Sequence, residues 1–283
     1  MRGALVGTVI AVINQKGGVG KTTTSVNLGA AFADQGKKVL LVDIDAQSNL
    51  TTHLGVGSPD EQSENIEGAK PEANMPVNSG VVNYAVTEHS MYDVLKNTKS
   101  INEIIINRGS GLDIAPSSLL LSAADLELGG VVGRELILKR ALASVRDTYD
   151  IIIIDCPPAL GLLSLNALAA VDKVIIPVQS EYLALHGVRQ LLDTIDQVRT
   201  IYNPGLKVGG VLICLHDNRK RLARAVSDTI RAYFGDLVFD TVIRTNVALA
   251  EAPANGQTIF EYSPKSSGAE DYHSLAKEIA NNE

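Results

Sequence analysis

The segment Lys16-Gly17-Gly18-Val19-Gly20-Lys21-Thr22-Thr23 constrains this chain more than any other. It follows an apolar run over residues 5–13, which reads as a buried strand. It precedes residues 25–35, which read as a helix. Strand, glycine-rich turn, Lys-Thr and helix is the order in which a phosphate-binding loop is built. Glycines let the backbone turn tightly and aim its N–H groups at phosphate oxygens, and the helix N-terminus adds partial positive charge behind them. In this reading Gly17, Gly18, Val19, Gly20 and Thr23 surround the phosphates. Lys21 sits on the β- and γ-phosphates, and the Thr22 hydroxyl ligates Mg²⁺. The loop departs from the pattern G-x-x-x-x-G-K-[ST] in one respect: Gln15 holds the first glycine position, and a second lysine, Lys16, stands inside the loop.

Further apolar runs cover 39–42, 151–154, 174–178, 208–214 and 237–243. They lack polar alternation, as parallel strands buried on both faces do. Helical patterns fall between them at 134–146, 160–170, 183–201, 220–234 and 269–281. The alternation predicts an α/β fold: a doubly wound, mostly parallel sheet with helices on both faces, read as one domain over 1–283. Ligands of such sheets bind at the carboxyl ends of the strands. The stretch at about 55–75 breaks the rhythm. Asp60, Glu61, Glu64, Glu67 and Glu72 face Lys70 as the one base, which predicts a mobile, solvated acidic loop.

Two strand ends carry acids. Val42-Asp43-Ile44-Asp45 places two carboxylates two residues apart, on one side of an extended segment. Beside a phosphate loop, one of them would reach the Mg²⁺ shell or the attacking water. Ile151-Ile152-Ile153-Ile154-Asp155-Cys156-Pro157-Pro158 is a hydrophobic strand ending in Asp, the form of a Walker B element, and Asp155 would bind Mg²⁺ through water. The prolines stop that strand and aim the following loop.

The chain holds 25 Lys and Arg against 32 Asp and Glu, a net charge of −7, so any contact with nucleic acid must come from a local patch. Arg219, Lys220, Arg221 and Arg224 form the densest basic cluster, and Arg231 and Arg244 extend it. A phosphate-backbone contact is the functional reading; a solvated helix face is the structural one. No run approaches the ~18–20 apolar residues of a membrane span. The two cysteines, Cys156 and Cys214, adjoin apolar runs and read as reduced core thiols, and a cytoplasmic protein is expected.

Together the motifs resemble the ParA/MinD branch of P-loop ATPases, the deviant Walker A group, and most of all its chromosome- and plasmid-partitioning members, ParA and Soj. The resemblance is carried by Asn14-Gln15-Lys16 through Thr24, by Val42-Asp43-Ile44-Asp45 and by Tyr149-Asp150 through Gly161. It continues through Ile176-Pro177-Val178-Gln179, Asn246 through Pro253, and Tyr262-Ser263-Pro264 through Ala269. It implies that Lys16 reaches the partner's phosphates across a nucleotide-sandwich homodimer. Lys21 and Thr22 would serve the phosphates and Mg²⁺ of their own chain, Asp45 would be the acid needed for hydrolysis, and Asp155 the Walker B acid. It implies further that the ATP-bound dimer binds DNA without sequence preference and leaves it when a ParB-type, centromere-bound partner stimulates hydrolysis, so that the protein is nucleoid-associated.

Some positions depart from the family. Ala46 replaces a proline, and Thr245 and Ala248 stand where the family has DNA-contacting arginines. Arg219 matches such a position, and Arg244, one residue before Thr245, is placed to compensate. Two related functions compete. A membrane-positioning ATPase of the MinD kind would need a basic amphipathic tail, whereas residues 269–283 carry Lys277 as their one Lys or Arg. A ParA-like ATPase that positions a cargo other than DNA would share every motif above.

Overall fold

The structure is a computed structural model and describes residues 7–57, 85–180 and 184–282. Most of the acidic segment expected to be mobile therefore lies outside the described residues. The strands are β1 (Thr8–Val12), β2 (Val39–Asp43), β3 (Val56–Gly57), β4 (Ala85–Val86), β5 (Ile106–Asn107), β6 (Leu112–Ala115), β7 (Ile151–Asp155), β8 (Lys173–Gln179), β9 (Lys207–His216) and β10 (Val238–Arg244). The helices are α1 (Lys21–Asp34), α2 (Asn49–His53), α3 (Met91–Leu95), α4 (Ala124–Glu127), α5 (Ile137–Leu142), α6 (Leu162–Ala170), α7 (Ala184–Ile201), α8 (Arg221–Phe234), α9 (Val247–Glu251), α10 (Ile259–Tyr262) and α11 (Ser267–Asn281).

Eight strands form one sheet in the order β10-β9-β8-β1-β7-β2-β6-β5, and β3 pairs with β4 separately. Every pair in the large sheet is parallel except β5 with β6. This is the doubly wound α/β fold that the alternation predicts. Alternate residues of each strand point to opposite faces, so a strand covered on both sides must be apolar throughout. Val9, Ala11 and Ile13 of the first strand segment enter one core cluster with Ile152 and Ile154, whereas Ile10 and Val12 enter the other with Ile151 and Ile153. Residues of α5, α6, α7 and α8 close the first core, and residues of α1 and α11 close the second.

The expected helix over 134–146 is instead the short α5 between two 3-10 turns. The cause is Asn166 of α6. Its Oδ1 accepts the Leu138 N–H (3.0 Å) and its Nδ2 donates to the Arg134 carbonyl (2.9 Å). Those two groups would bond each other in a continuous helix; a side-chain amide inserted between them breaks the ladder. β6 escapes the apolar pattern because it contains Asp113, whose carboxylate accepts from Tyr149 Oη (2.7 Å) and Asn107 Nδ2 (2.6 Å). In α2, buried His53 lies 3.1 Å from the Gln257 carbonyl, and burial pushes its imidazole down to about 4.

Candidate active site

The carboxyl ends of β1, β2 and β7 meet where the sheet order changes direction, since β2 and β8 leave the central β7-β1 pair on opposite sides. The loop after β1 turns through Gly18 (φ 72°) and Gly20 (φ 91°), conformations that glycine adopts without a Cβ penalty. Both loop flanks are tied to β8. Asn14 Nδ2 donates to the Pro177 carbonyl (2.6 Å), Asn14 Oδ1 accepts the Lys16 N–H (3.0 Å), and Gln179 Nε2 donates to the Gly18 carbonyl (2.7 Å). The loop is thus held from the neighbouring strand, and the segment around Gly17 and Gly18 stays open: a Cβ at either residue would meet nothing within 4 Å.

Lys21, the first residue of α1, is buried and donates from Nζ to the Lys16 carbonyl (3.2 Å). Burial lowers its pKa, against the attraction of Asp155 and Asp45, which favours the charged form. The ammonium is therefore held inside the loop, near the sheet-end acids. Thr22 Oγ1 donates to Asp155 Oδ2 (2.7 Å), and Ser25, one turn later, donates to Asp155 Oδ1 (2.8 Å). The fully buried Asp155 is raised by burial above the ordinary carboxylate range, with Asp45 adding to the effect and the two hydroxyls opposing it.

Asp43 stands opposite Asp155 in the β2–β7 register and is also fully buried. Burial raises it first, and the Asp155 charge adds to the rise. Its oxygens are occupied inside the fold: Oδ1 accepts the Asp45 N–H (3.1 Å), and Oδ2 accepts the Thr51 N–H (2.9 Å) and hydroxyl (2.7 Å). Asp45, just past the strand, accepts the Gln47 N–H on Oδ1 (3.0 Å). Of the two acids, Asp43 is committed to internal bonds at both oxygens.

The donor chemistry fits a nucleotide with Mg²⁺. Mg²⁺ takes oxygen ligands, usually a few from protein, with waters and substrate phosphates completing its shell. Among the described residues no three His, Cys, Asp or Glu side chains gather closely enough to hold a metal by themselves. The Thr22 hydroxyl and the Asp155 carboxylate, already in contact, are the groups that would serve it.

Sequence reasoning missed Ser25, although its spacing from Thr22 puts both on one helix face. It also missed Thr24, whose buried hydroxyl pairs with Tyr272 Oη of α11 (3.2 Å), a partner with no sequence signal. The basic cluster lies on the connection from β9 into α8. Arg219, Lys220, Arg221 and Arg224 are exposed, with the Arg219 side chain 89% accessible. Arg219 pairs with Asp217 through Nε (2.9 Å) and Nη2 (3.1 Å), and this guanidinium holds Asp217 down at about 2. Arg244 is in register with His216 at the same sheet edge, but its guanidinium turns onto Asp271 (2.6 and 2.9 Å) and Glu270 (3.1 Å).

A doubly wound sheet whose first strand ends in a phosphate loop, with Lys21, Thr22 and the Asp155 carboxylate gathered behind it, defines a P-loop ATPase that works with ATP and Mg²⁺. Comparison with known proteins narrows the class. A family model described as an AAA domain matches residues 7–208. The sporulation initiation inhibitor protein Soj of Bacillus subtilis (strain 168) is 46% identical over 277 residues, 98% of this chain and 99% of the relative. The chromosome partitioning protein ParA of Caulobacter vibrioides (strain NA1000 / CB15N) is 38% identical over 278 residues, 97% of this chain and 94% of the relative. The chain belongs to the ParA/Soj family of ATPases. Among solved structures, cobyrinic acid a,c-diamide synthase from Mycobacterium smegmatis with bound ADP and magnesium is 36% identical, with a TM-score of 0.74 over 96% of this chain and 93% of that one.

Proposed function

We propose that this chain is an ATP-driven partitioning switch: a homodimer in the ATP state that binds DNA without sequence preference and is released when a ParB-type partner stimulates hydrolysis. The observation that carries the reading is the adjacency of the phosphate loop and the basic cluster. A Cβ on Gly20 would lie 3.7 Å from Cys214 Cβ near the end of β9, and the basic cluster begins at Arg219, just past that strand, and runs into α8. Similarity to Soj and ParA over nearly the full chain supports it.

In this mechanism Lys21 and Thr22 hold the phosphates and Mg²⁺ of their own chain, with Asp155 behind Thr22. Asp45 is the acid on which hydrolysis depends and would serve the shell of the same Mg²⁺. Lys16, from the other copy, offsets the charge of two triphosphates brought face to face. ATP thus favours the dimer because it binds that state better, and hydrolysis removes the preference. Arg219, Lys220, Arg221 and Arg224 neutralise DNA phosphates, a contact that carries affinity without reading bases. The Arg219 side of its pair with Asp217 is exposed, so the pair opposes that exchange only weakly. Arg244 supports this edge by tying β10 to α11 rather than by touching phosphate. The protein is cytoplasmic and nucleoid-associated in this reading; no helix among the described residues is long and apolar enough to cross a membrane.

The test is retention on non-specific DNA and sedimentation, each with ATP and with ADP. ATP is expected to give a dimer that DNA retains, and ADP a monomer that it does not. Lys16→Ala should lose the ATP-dependent dimer while one chain still binds nucleotide. Equal retention in both nucleotide states, or an undiminished dimer in the variant, would remove the switch.

A further inference from the structure

Asp45 is held by a closed ring of buried hydrogen bonds drawn from three separate parts of the chain. From the end of β2, Asp43 Oδ1 accepts the Asp45 N–H (3.1 Å). Asp43 Oδ2 accepts the hydroxyl of Thr51 in α2 (2.7 Å). Thr51 Oγ1 in turn accepts the N–H of Ser117, two residues beyond β6 (2.9 Å). Ser117 Oγ closes the ring by donating to the Asp45 carbonyl (2.6 Å). Asp43, Thr51 and Ser117 are fully buried, and Asp45 is 7% exposed.

Two features set this ring apart from the general satisfaction of buried polar groups. It reaches both the N–H and the C=O of a single residue through side chains, and that residue lies just past the end of its strand, where the one backbone bond to it is a turn bond from the Ser48 N–H to the same carbonyl (2.9 Å). Both peptide groups flanking Asp45 are therefore fixed, and its side chain leaves the backbone from a fixed point. Three of the four members have their polar atoms turned inward on one another, so Asp45 is the member left to act outside the ring. Small displacements at a reacting centre are costly, since a misplacement of about 1 Å can cost ~10²-fold in rate.

We propose that Thr51 and Ser117 are positioning residues for ATP hydrolysis, which with Asp43 hold Asp45 in its working place. The inference rests on the reading of Asp45 as the acid needed for hydrolysis, and its test separates the two.

The variants are Ser117→Ala, Ser117→Cys, Ser117→Thr and Thr51→Val, with Asp45→Ala alongside, each measured for steady-state kcat and KM, ATP affinity and melting temperature. Ser117→Ala and Thr51→Val are expected to lower kcat by roughly tenfold to a hundredfold with KM and ATP affinity held. Ser117→Thr, which keeps the donor, should recover most of the rate. Ser117→Cys keeps the volume and weakens the donor, so it is read on the same terms if the alanine variant does not fold. A wild-type kcat in the serine and threonine variants beside an inactive Asp45→Ala would overturn the inference and leave the reading of Asp45 intact. A lowered melting temperature with kcat unchanged would overturn it equally, as the mark of a purely structural ring. A wild-type rate in Asp45→Ala would overturn the reading itself, and the inference with it.

Discussion

The two working regions of this molecule are built in opposite ways. At the ends of β1, β2 and β7, charged and hydroxyl groups are buried or partly buried and bonded between separate elements: Thr22 to Asp155 and Ser117 to Asp45 across distant parts of the chain, and Asp43 to Thr51 of the neighbouring α2. On the connection from β9 to α8, Arg219, Lys220, Arg221 and Arg224 are exposed, and the bonds of Arg219 go to Asp217, two residues away. Buried groups act at low effective dielectric and cannot be replaced by water, so each one counts heavily. Exposed charges act together, are screened by salt and can be lost singly at little cost. Chemistry that needs one geometry sits in the first kind of place, and adhesion to a uniform polyanion in the second.

The contrast can be broken most forcefully at Lys21. Lys21→Ala removes the buried ammonium and should lower kcat by roughly 10²–10³-fold, as removal of a preorganised charge partner does. Stopped-flow or steady-state hydrolysis measures it, and a rate near wild type would mean that the loop is not the phosphate site. A smaller and salt-sensitive effect is expected on the other face. Arg219→Glu with Arg221→Glu should weaken DNA retention by about a hundredfold, flatten the salt dependence by about two contacts' worth, and spare basal hydrolysis. Retention that survives at moderate salt would reduce the cluster to a solvated helix face.

The smallest effect concerns stability alone. His53 stays neutral in the fold down to about 4, below its ordinary value of 6.5, because it is buried. Between those values the unfolded chain binds the extra proton, so this residue's contribution to stability falls as pH drops through that window, by ~2 kcal/mol at pH 5. His53→Gln should therefore lose less melting temperature between pH 7.5 and 5 than the wild type does. Parallel curves would show that the buried imidazole has no part in acid sensitivity.

The central strands could be read from sequence because burial on both faces leaves them no polar residue. β6 could not, since Asp113 interrupts its run and is satisfied by Tyr149, 36 positions away. The helix expected over 134–146 failed for a similar reason: nothing within it announces that Asn166 will take its backbone bonds. The same division runs through the site. Lys21 and Thr22 open the helix after the first strand and its glycine loop, and Asp155 ends an apolar strand, all in recognisable order, whereas Ser117 lies 72 positions from Asp45 in no motif, and its role exists only once β2 and β6 are side by side. Arg244 was legible as a charge but not as one already matched by Asp271 of α11, 27 positions on.

The hydrogen bond between Thr24 and Tyr272 has a consequence in time. It joins the helix behind the phosphate loop to a residue made 248 positions later. At roughly 5–20 residues per second of synthesis, the loop helix leaves the ribosome about 10–50 s before its partner does. During that interval the motif that names the family is already complete as sequence, yet the helix that carries it lacks one of its walls. A nascent chain interrupted before α11 would carry the signature of an ATPase without the support its nucleotide site has in the finished fold.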